Sequence, residues 1–185
     1  MPLGAARFGL LGGVADLGKL ELIETQTYST SVNYVDFTSI QESTYNVHLM
    51  TLTNITFNVL SNLRIQFYES GVLETSSVYQ EAFQSGLASG TFAEVTSTGR
   101  NQVIFTQSNI ANTATSAYLY FYNLGDATKY NFLTAQGTGE TSSNVFNMYF
   151  GSGVLPQAST VDGIRVKDNF GNMTGTISLY GIAES

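Results

Sequence analysis

The sequence predicts an all-β fold: an antiparallel, jelly-roll-like β-sandwich that follows a short, extended N-terminal arm. Three observations support this prediction. Apolar and polar side chains alternate with a period of two in several segments, as Leu63, Ile65 and Phe67 do with the residues between them. No long window has the apolar spacing of an amphipathic helix. Because parallel strands need long connections, about ten strands without crossover helices indicate antiparallel sheets.

The length and composition fit one folded domain with an unusual surface. Of the 185 residues, 43% are hydrophobic and only 11% are charged, whereas typical globular domains have about 25% charged residues. Ser, Thr, Asn, Gln, Gly, Tyr and Phe take the place of the missing charge. Protein interfaces are poor in Lys and Glu and rich in Tyr. The composition therefore predicts a surface for large permanent or adhesive contacts, and the alternative is a compositional bias of the source organism.

The charge balance and the rare residue types narrow the chemistry. Seven basic and fourteen acidic residues give a net charge of −7, which argues against nucleic acid as a partner. The absence of Cys excludes disulfides, thiolate metal sites and cysteine nucleophiles. A single His argues against zinc chemistry and against a Ser-His-Asp triad. We therefore predict a protein that has no cofactor and is not an enzyme.

Residues 1–19 differ from the rest of the chain. They are rich in Gly, Ala and Leu, and they lack the period-two alternation that begins at Leu20. We predict that residues 1–19 form an arm and that residues 20–185 form the β-sandwich domain. The arm is expected to dock on a partner, and the alternative is a frayed terminus. The side chains expected to dock are Arg7, Phe8, Leu10 and Leu11.

The apolar residues of the arm are interrupted by glycines, whereas a signal peptide needs about 7–15 uninterrupted apolar residues. No segment of the chain reaches the roughly 18 consecutive apolar residues of a membrane span. The sequence therefore predicts synthesis in the cytoplasm without a signal peptide, and no insertion into a membrane.

From Leu20 onward the pattern is β throughout. Tyr118–Tyr122 is apolar on both faces with its tyrosines on one side, which predicts an inner strand covered on both sides. Tyr79 and Phe83 also fit a helical spacing, but Tyr79, Glu81 and Phe83 fall on alternate residues as well, and we prefer a strand. In chain order, the predicted strands are 20–28, 32–37, 45–53, 63–68, 76–84, 102–107, 118–122, 130–136, 144–150, 164–167 and 173–182. The predicted turns are Ser70-Gly71, Ser85-Gly86, Ser97-Thr98-Gly99, Gly125-Asp126, Gly137-Thr138-Gly139, Gly151-Ser152-Gly153, Asp162-Gly163 and Phe170-Gly171-Asn172.

His48 and a few carboxylates are the candidates for acid–base chemistry. His48 lies in a predicted strand, on a polar face opposite Val47 and Leu49, where a structural role is more common than a functional one. Paired carboxylates can hydrolyse glycosides. The carboxylates of this chain fall mostly where solvated strand ends or hairpins are expected, which favours a solvated role. They are Glu21, Glu24, Glu69, Glu74 and Glu81.

Three local motifs also have a simpler interpretation than a binding site. Asp168–Asn172 has oxygen ligands and a glycine, as calcium loops do, but it has no acidic closing residue and is expected to be a hairpin turn. The glycosylation sequons at Asn54 and Asn172 are interpreted as chance matches, since no secretory signal precedes them. The glycines lack the strand–helix context of phosphate binding. We therefore predict no catalytic, cofactor-binding or metal-binding residues.

Four short segments share a pattern with a known group of proteins. They are Gly4-Ala5-Ala6-Arg7-Phe8-Gly9, Leu20-Glu21-Leu22-Ile23, Val35-Asp36-Phe37-Thr38-Ser39-Ile40 and Ser178-Leu179-Tyr180-Gly181-Ile182. With these segments the chain resembles small virion structural proteins of marine tailed bacteriophages, which pair a short N-terminal arm with an all-β domain. The resemblance covers most of the chain, and its motifs describe a fold and a composition without a catalytic residue.

The resemblance implies a non-enzymatic component of the virion, synthesised in the host cytoplasm. One role is a capsid decoration or cement protein that binds the phage shell through its arm and β-domain. The other is a tail or fibre protein whose β-domain contacts a host receptor or a host-surface glycan. The absence of a coiled-coil or repetitive shaft favours decoration. Viral jelly rolls often form trimers, so a homotrimer is expected. A third hypothesis, from a different class, is a carbohydrate-binding module with a tyrosine-rich face.

Overall fold

The computed structural model of the chain describes residues 19–106 and 111–183. In these ranges the chain forms thirteen strands and no helix. The strands are β1 (Leu20–Val32), β2 (Tyr34–Phe37), β3 (Val47–Phe57), β4 (Leu63–Glu69), β5 (Val72–Leu73), β6 (Tyr79–Leu87), β7 (Phe92–Arg100), β8 (Val103–Ile104), β9 (Thr115–Tyr122), β10 (Asn131–Glu140), β11 (Phe146–Leu155), β12 (Val161–Asp168) and β13 (Met173–Ile182).

The strands pair into two antiparallel sheets of unequal size. The large sheet has eight strands in the order β1-β13-β3-β9-β10-β11-β6-β7. The small sheet has the order β2-β12-β4-β5, and β8 also pairs with β4. Every strand pairing is antiparallel. Buried side chains from both sheets form one core, so the predicted antiparallel sandwich is confirmed.

The core lies between the two sheets, where period-two alternation places the apolar side chains. On β4, Leu63, Ile65 and Phe67 are fully buried, as predicted. The ring of Phe67 lies 6.0 Å from the ring of Phe121 and 6.1 Å from that of Tyr79, and both partners belong to the large sheet. The Tyr79 hydroxyl also accepts the Phe67 backbone N–H at 2.9 Å, and burial raises the pKa of this hydroxyl. Phe67 therefore joins the two layers.

Two connections cross between the sheets at one corner of the sandwich. Asn33 links β1 to β2, and residues 169–172 link β12 to β13. The Asn33 carbonyl accepts the Asp168 backbone N–H at 2.9 Å, and its side-chain amide donates to the Gly171 carbonyl at 2.6 Å. The predicted hairpin at Asp168–Asn172 is wrong, because β12 and β13 belong to different sheets.

Five of the predicted turns lie inside strands. The three turns that do fall between strands are Ser70-Gly71, Gly125-Asp126 and Phe170-Gly171-Asn172. At Ser70 and Gly71 the φ angles are 53° and 75°, which is the left-handed backbone that a tight hairpin turn requires. The predictions that are wrong fall in β6, β7, β10, β11 and β12; they are Ser85-Gly86, Ser97-Thr98-Gly99, Gly137-Thr138-Gly139, Gly151-Ser152-Gly153 and Asp162-Gly163.

Glycines inside these strands leave room for core side chains. A Cβ atom at Gly137 would lie 2.4 Å from the Tyr149 ring, and one at Gly153 would lie 2.6 Å from Val103. Glycine within a strand often marks such a close approach. The same residue type signals turns, and this is why the turn predictions failed here.

Candidate interaction surface

The described chain begins with Lys19, which is bonded to the residue that follows β13. The Lys19 carbonyl accepts the Ala183 backbone N–H at 3.0 Å, just before β1 begins. The next outward-facing side chains, Leu20 and Leu22, are 50% and 60% exposed. The side chains predicted to dock lie outside the described residues; they are Arg7, Phe8, Leu10 and Leu11.

His48 lies on the core face of β3, so the predicted polar face is wrong. It is fully buried and alternates with Val47 and Leu49, which point outward. Its Nε2 atom lies 2.8 Å from the Ile40 carbonyl oxygen. Burial lowers the pKa of His48, because a charged imidazole is disfavoured away from water. His48 therefore serves the fold as a neutral side chain that donates to a backbone carbonyl.

We expect His48 to make the stability of the protein depend on pH. Below pH 6.5, the ordinary pKa of histidine, the unfolded chain binds a proton at His48, whereas the native chain resists it. Protonation then favours unfolding, so the free energy of unfolding should fall as the pH drops below 6.5. Urea unfolding at a series of pH values should show this loss in the wild type and a smaller loss in His48→Gln. Equal pH profiles of the two proteins would contradict it.

Glu81 is an exception to the solvated role that was expected for most of the candidate carboxylates, because it is buried in β6. It alternates with Tyr79 and Phe83 on the core face. Its carboxylate accepts the Ile104 backbone N–H at 2.6 Å and forms an ion pair with Arg100 at 2.5 Å. Burial raises the pKa of Glu81. The carboxylate therefore ties the β8 segment and the end of β7 to β6.

The other candidate carboxylates are each bonded to a different neighbour. Glu21 accepts the Tyr45 hydroxyl at 2.6 Å, which lowers the pKa of Glu21. Glu74 accepts the Ser76 backbone N–H at 2.6 Å, which lowers the pKa of Glu74. The two remaining partners are the Gln26 amide for Glu24 and the Ser159 hydroxyl for Glu69. These bonds hold turns and strand edges in place.

Asp168–Asn172, the segment with calcium-type ligands, is held by hydrogen bonds to the Asp168 carboxylate. The Asp168 carboxylate is fully buried and accepts the Ser61 hydroxyl and the Phe170 backbone N–H. Among residues 19–106 and 111–183, no group of three or more His, Asp or Glu side chains is placed to hold a metal ion. Asp168 therefore holds the connection between the sheets.

The outer face of the large sheet is the most distinctive surface of the molecule. Most of its outward strand positions are Tyr, Phe, Thr, Ser, Gln and aliphatic residues. Within the described part of the chain, Glu94 and Glu140 are the charged residues at these positions, and no Lys or Arg is among them. Large apolar side chains there are widely exposed, including Phe92 at 69% and Phe146 at 52%. We call this surface the large face.

Three tyrosines of β9 form a ladder at the centre of the large face. Tyr118, Tyr120 and Tyr122 share one side of the strand, as predicted. Their neighbouring ring centroids are 6.0 and 6.5 Å apart. The prediction that both faces of this strand are buried is wrong for the single chain, because the tyrosines face outward and Tyr118 is 42% exposed. Strand β9 is nevertheless an inner strand of its sheet, between β3 and β10.

Strand register aligns apolar side chains into a row that starts at Leu20, the first residue of β1. We call it the apolar row; it consists of Leu20, Ile182, Val47, Tyr122, Phe132 and Val154 on six adjacent strands. With strands about 4.8 Å apart, the row extends roughly 24 Å across the large face. Leu20 is 50% exposed and Phe132 is 43% exposed. The other four members are half-buried. An apolar strip of this length on an outer face is typical of a protein contact.

A second row on the large face combines aromatic rings with amides. We call it the aromatic–amide row; it consists of Tyr118, Gln136, Phe150, Gln84 and Glu94, each directly opposite the next on adjacent strands. The Tyr118 hydroxyl donates to Gln136 Oε1 at 2.7 Å. Phe150 is 43% exposed. The row lies four residues along the strands from the apolar row.

The outer face of the small sheet has a different character, because it is charged. Arg165 binds the Asp36 carboxylate through two hydrogen bonds of 2.7 Å and lies 3.9 Å above the Tyr34 ring. The bonds to Asp36 raise the pKa of Arg165. Lys167 and Arg64 lie opposite each other on neighbouring strands of the same sheet. The two outer faces therefore suit different partners.

Composition indicated a contact surface, but the rows themselves could not be seen in the sequence. Their members come from strands far apart in the chain, and only register aligns them. The one local signal was the tyrosine alternation in Tyr118–Tyr122.

No helix long and apolar enough to cross a membrane occurs in residues 19–106 and 111–183. No protein-family model matches the chain, and no curated protein matches its sequence.

Proposed function

We propose that the chain is a non-enzymatic structural protein of a bacteriophage virion, and that it decorates the capsid shell. It would bind the shell or neighbouring subunits through its arm and its β-domain. The apolar row is the observation that supports this proposal most directly, because it begins at Leu20, the residue that directly follows the predicted arm. If the predicted arm also docks, it and the apolar row would contact the same partner from neighbouring parts of the chain.

The composition of the large face also favours a lasting contact with protein. Fixing Ser, Thr or Tyr side chains costs less entropy than fixing Lys or Glu. Cross-strand hydroxyl pairs already order part of this face, such as Thr25 with Ser178 at 2.8 Å and Thr56 with Thr174 at 2.6 Å. The resemblance to viral jelly-roll proteins implies a homotrimer. A trimer would present three copies of the large face to the particle.

Counting copies in purified virions tests this role. We expect a copy number near that of the major shell protein, measured by quantitative mass spectrometry. Leu20→Ser/Leu22→Ser should reduce incorporation at least about tenfold, since two anchoring apolar side chains of roughly 1.5–3 kcal/mol each are lost from the contact. Both side chains are exposed, so the thermal stability of the chain should stay unchanged.

The matched control is Val59→Ser/Leu60→Ser. These residues are 40% and 46% exposed and follow β3 at the end of the large sheet remote from Leu20. The control should enter particles normally. Absence of the wild-type chain from virions, or equal incorporation of both double variants, would refute the proposal.

A tail or fibre protein that contacts the host is the second candidate. The aromatic–amide row favours it, because a hydrated surface with exposed rings and amides is suited to a host ligand. A small fixed copy number per particle would support this role over decoration.

A further inference from the structure

We infer that the aromatic–amide row is a binding site for a neutral oligosaccharide, which lies across the strands of the large face. The row alternates an aromatic ring, an amide, a second ring, a second amide and a carboxylate on five adjacent strands. Since neighbouring strands are about 4.8 Å apart, the Tyr118 and Phe150 rings stand roughly 10 Å apart.

Phe150 forms a ridge between two shallow grooves. One groove is lined by side chains that include Tyr118, Thr134, Gln136 and Ser152. The other is lined by Gln84, Glu94 and Thr96, among others. Gly151 lines both grooves beside Phe150, and it adds no side chain to either of them. A chain of linked rings could follow this profile, with one ring stacked on Phe150 and the next in a groove.

The polar groups along the row can both donate and accept. Gln136 Oε1 is occupied by the Tyr118 hydroxyl, which leaves the Gln136 amide nitrogen as a donor. On the other side of Phe150, Gln84 Nε2 lies 3.5 Å from Glu94 Oε1, a weak contact that a ligand could replace. Sugar hydroxyls are donors and acceptors at once, so a saccharide can satisfy these groups while its C–H face covers an aromatic ring.

The charge of the row excludes the main competing ligands. No Lys or Arg occupies an outward strand position of the large face within the described ranges, so phosphate, sulfate and acidic polysaccharides lack a counter-charge, and the Glu94 carboxylate repels them. A dry protein contact would bury the Gln136 amide nitrogen without a partner and the Glu94 carboxylate with only the weak Gln84 contact, which is costly. A neutral hydroxylated ligand fits both constraints.

The test is binding of the purified full chain to immobilised neutral hexose oligomers (cello-, malto-, manno- and galacto-oligosaccharides) and to uronic and sulfated oligomers. The tightest neutral oligomer is then titrated calorimetrically. We expect Phe150→Ala to weaken binding about tenfold, as loss of an aromatic stacking partner does. Gln84→Ala/Gln136→Ala should weaken it to a similar extent. Binding should be the same at about 0.05 and 0.5 M NaCl, since no ionic contact is involved.

Phe146→Ala is the matched control. Phe146 has the same residue type, the same strand and the same outer face, and it lies four residues from Phe150, outside the row. It should bind the saccharide as the wild type does. Binding is measured on the isolated chain, so its outcome is independent of incorporation into particles.

Three binding results would overturn the inference: no binding to any neutral oligomer, preference for the charged oligomers, or equal losses of affinity in Phe146→Ala and Phe150→Ala. A change of oligomer mass on Phe150→Ala, measured by light scattering, would instead identify the row as a contact between copies of this chain and would also overturn it.

Discussion

Phe67→Ala is expected to lower the free energy of unfolding by about 3–5 kcal/mol, as replacement of a fully buried phenylalanine does. The ring joins the two sheets through Phe121 and Tyr79, so its loss leaves a cavity between the layers. For a chain of this size, the thermal midpoint should fall by roughly 10 °C. Urea unfolding followed by tyrosine fluorescence and circular dichroism measures the change.

Phe170→Ala provides the comparison for this variant. Phe170 is 69% exposed in the connection between β12 and β13, and its replacement should change stability by no more than about 0.5 kcal/mol. Similar losses in the two variants would show that the Phe67 position is not the centre of the core.

Gly151→Ala is expected to destabilise the sandwich by about 1–3 kcal/mol or more, as overpacking of a tight site does. An added Cβ atom would lie 2.3 Å from the Ala82 carbonyl oxygen and 2.6 Å from the Phe83 Cα atom. Both atoms belong to the backbone of β6, so no side-chain rotation relieves the contact. The strands β6 and β11 must therefore move apart, which weakens the hydrogen bonds between them.

Gly99→Ala separates this steric effect from glycine substitution in general. A Cβ atom at Gly99 would come no closer than 3.6 Å, to the Ser77 carbonyl oxygen, and alanine at a compatible position stabilises by about 0.4–1 kcal/mol through the unfolded chain. Urea unfolding of both variants measures the difference between their free energies of unfolding. If Gly151→Ala were as stable as Gly99→Ala, the close pairing of β6 and β11 would be wrong.

Alternation predicted the core strands well because it is a local property. Leu63, Ile65 and Phe67 repeat on every second residue and are buried accordingly. His48 shows the limit of this signal. Its strand has apolar residues on both faces, Val47 and Leu49 outward and Met50 inward, so alternation alone could not assign the buried side.

The strand β7 was not predicted, because Phe92–Arg100 is rich in Ser, Thr and Gly and has few apolar residues. It is an edge strand that pairs with β6 alone, and an edge strand needs little apolar surface. The rows of the large face could not be predicted either, because they depend on which strands become neighbours. A one-residue change of register would turn each row to the other side of its sheet.

The position of β13 between β1 and β3 has a consequence for biosynthesis. The ribosome releases β1 and β3 long before the strand that must separate them, so the large sheet cannot close until β13 has been synthesised. Until then, β3 has an unsatisfied side on which another nascent chain could pair. Folding of the large sheet should consequently be slow, because it depends on pairing between strands far apart in the chain. Loss of β13 through a premature stop codon should yield insoluble protein.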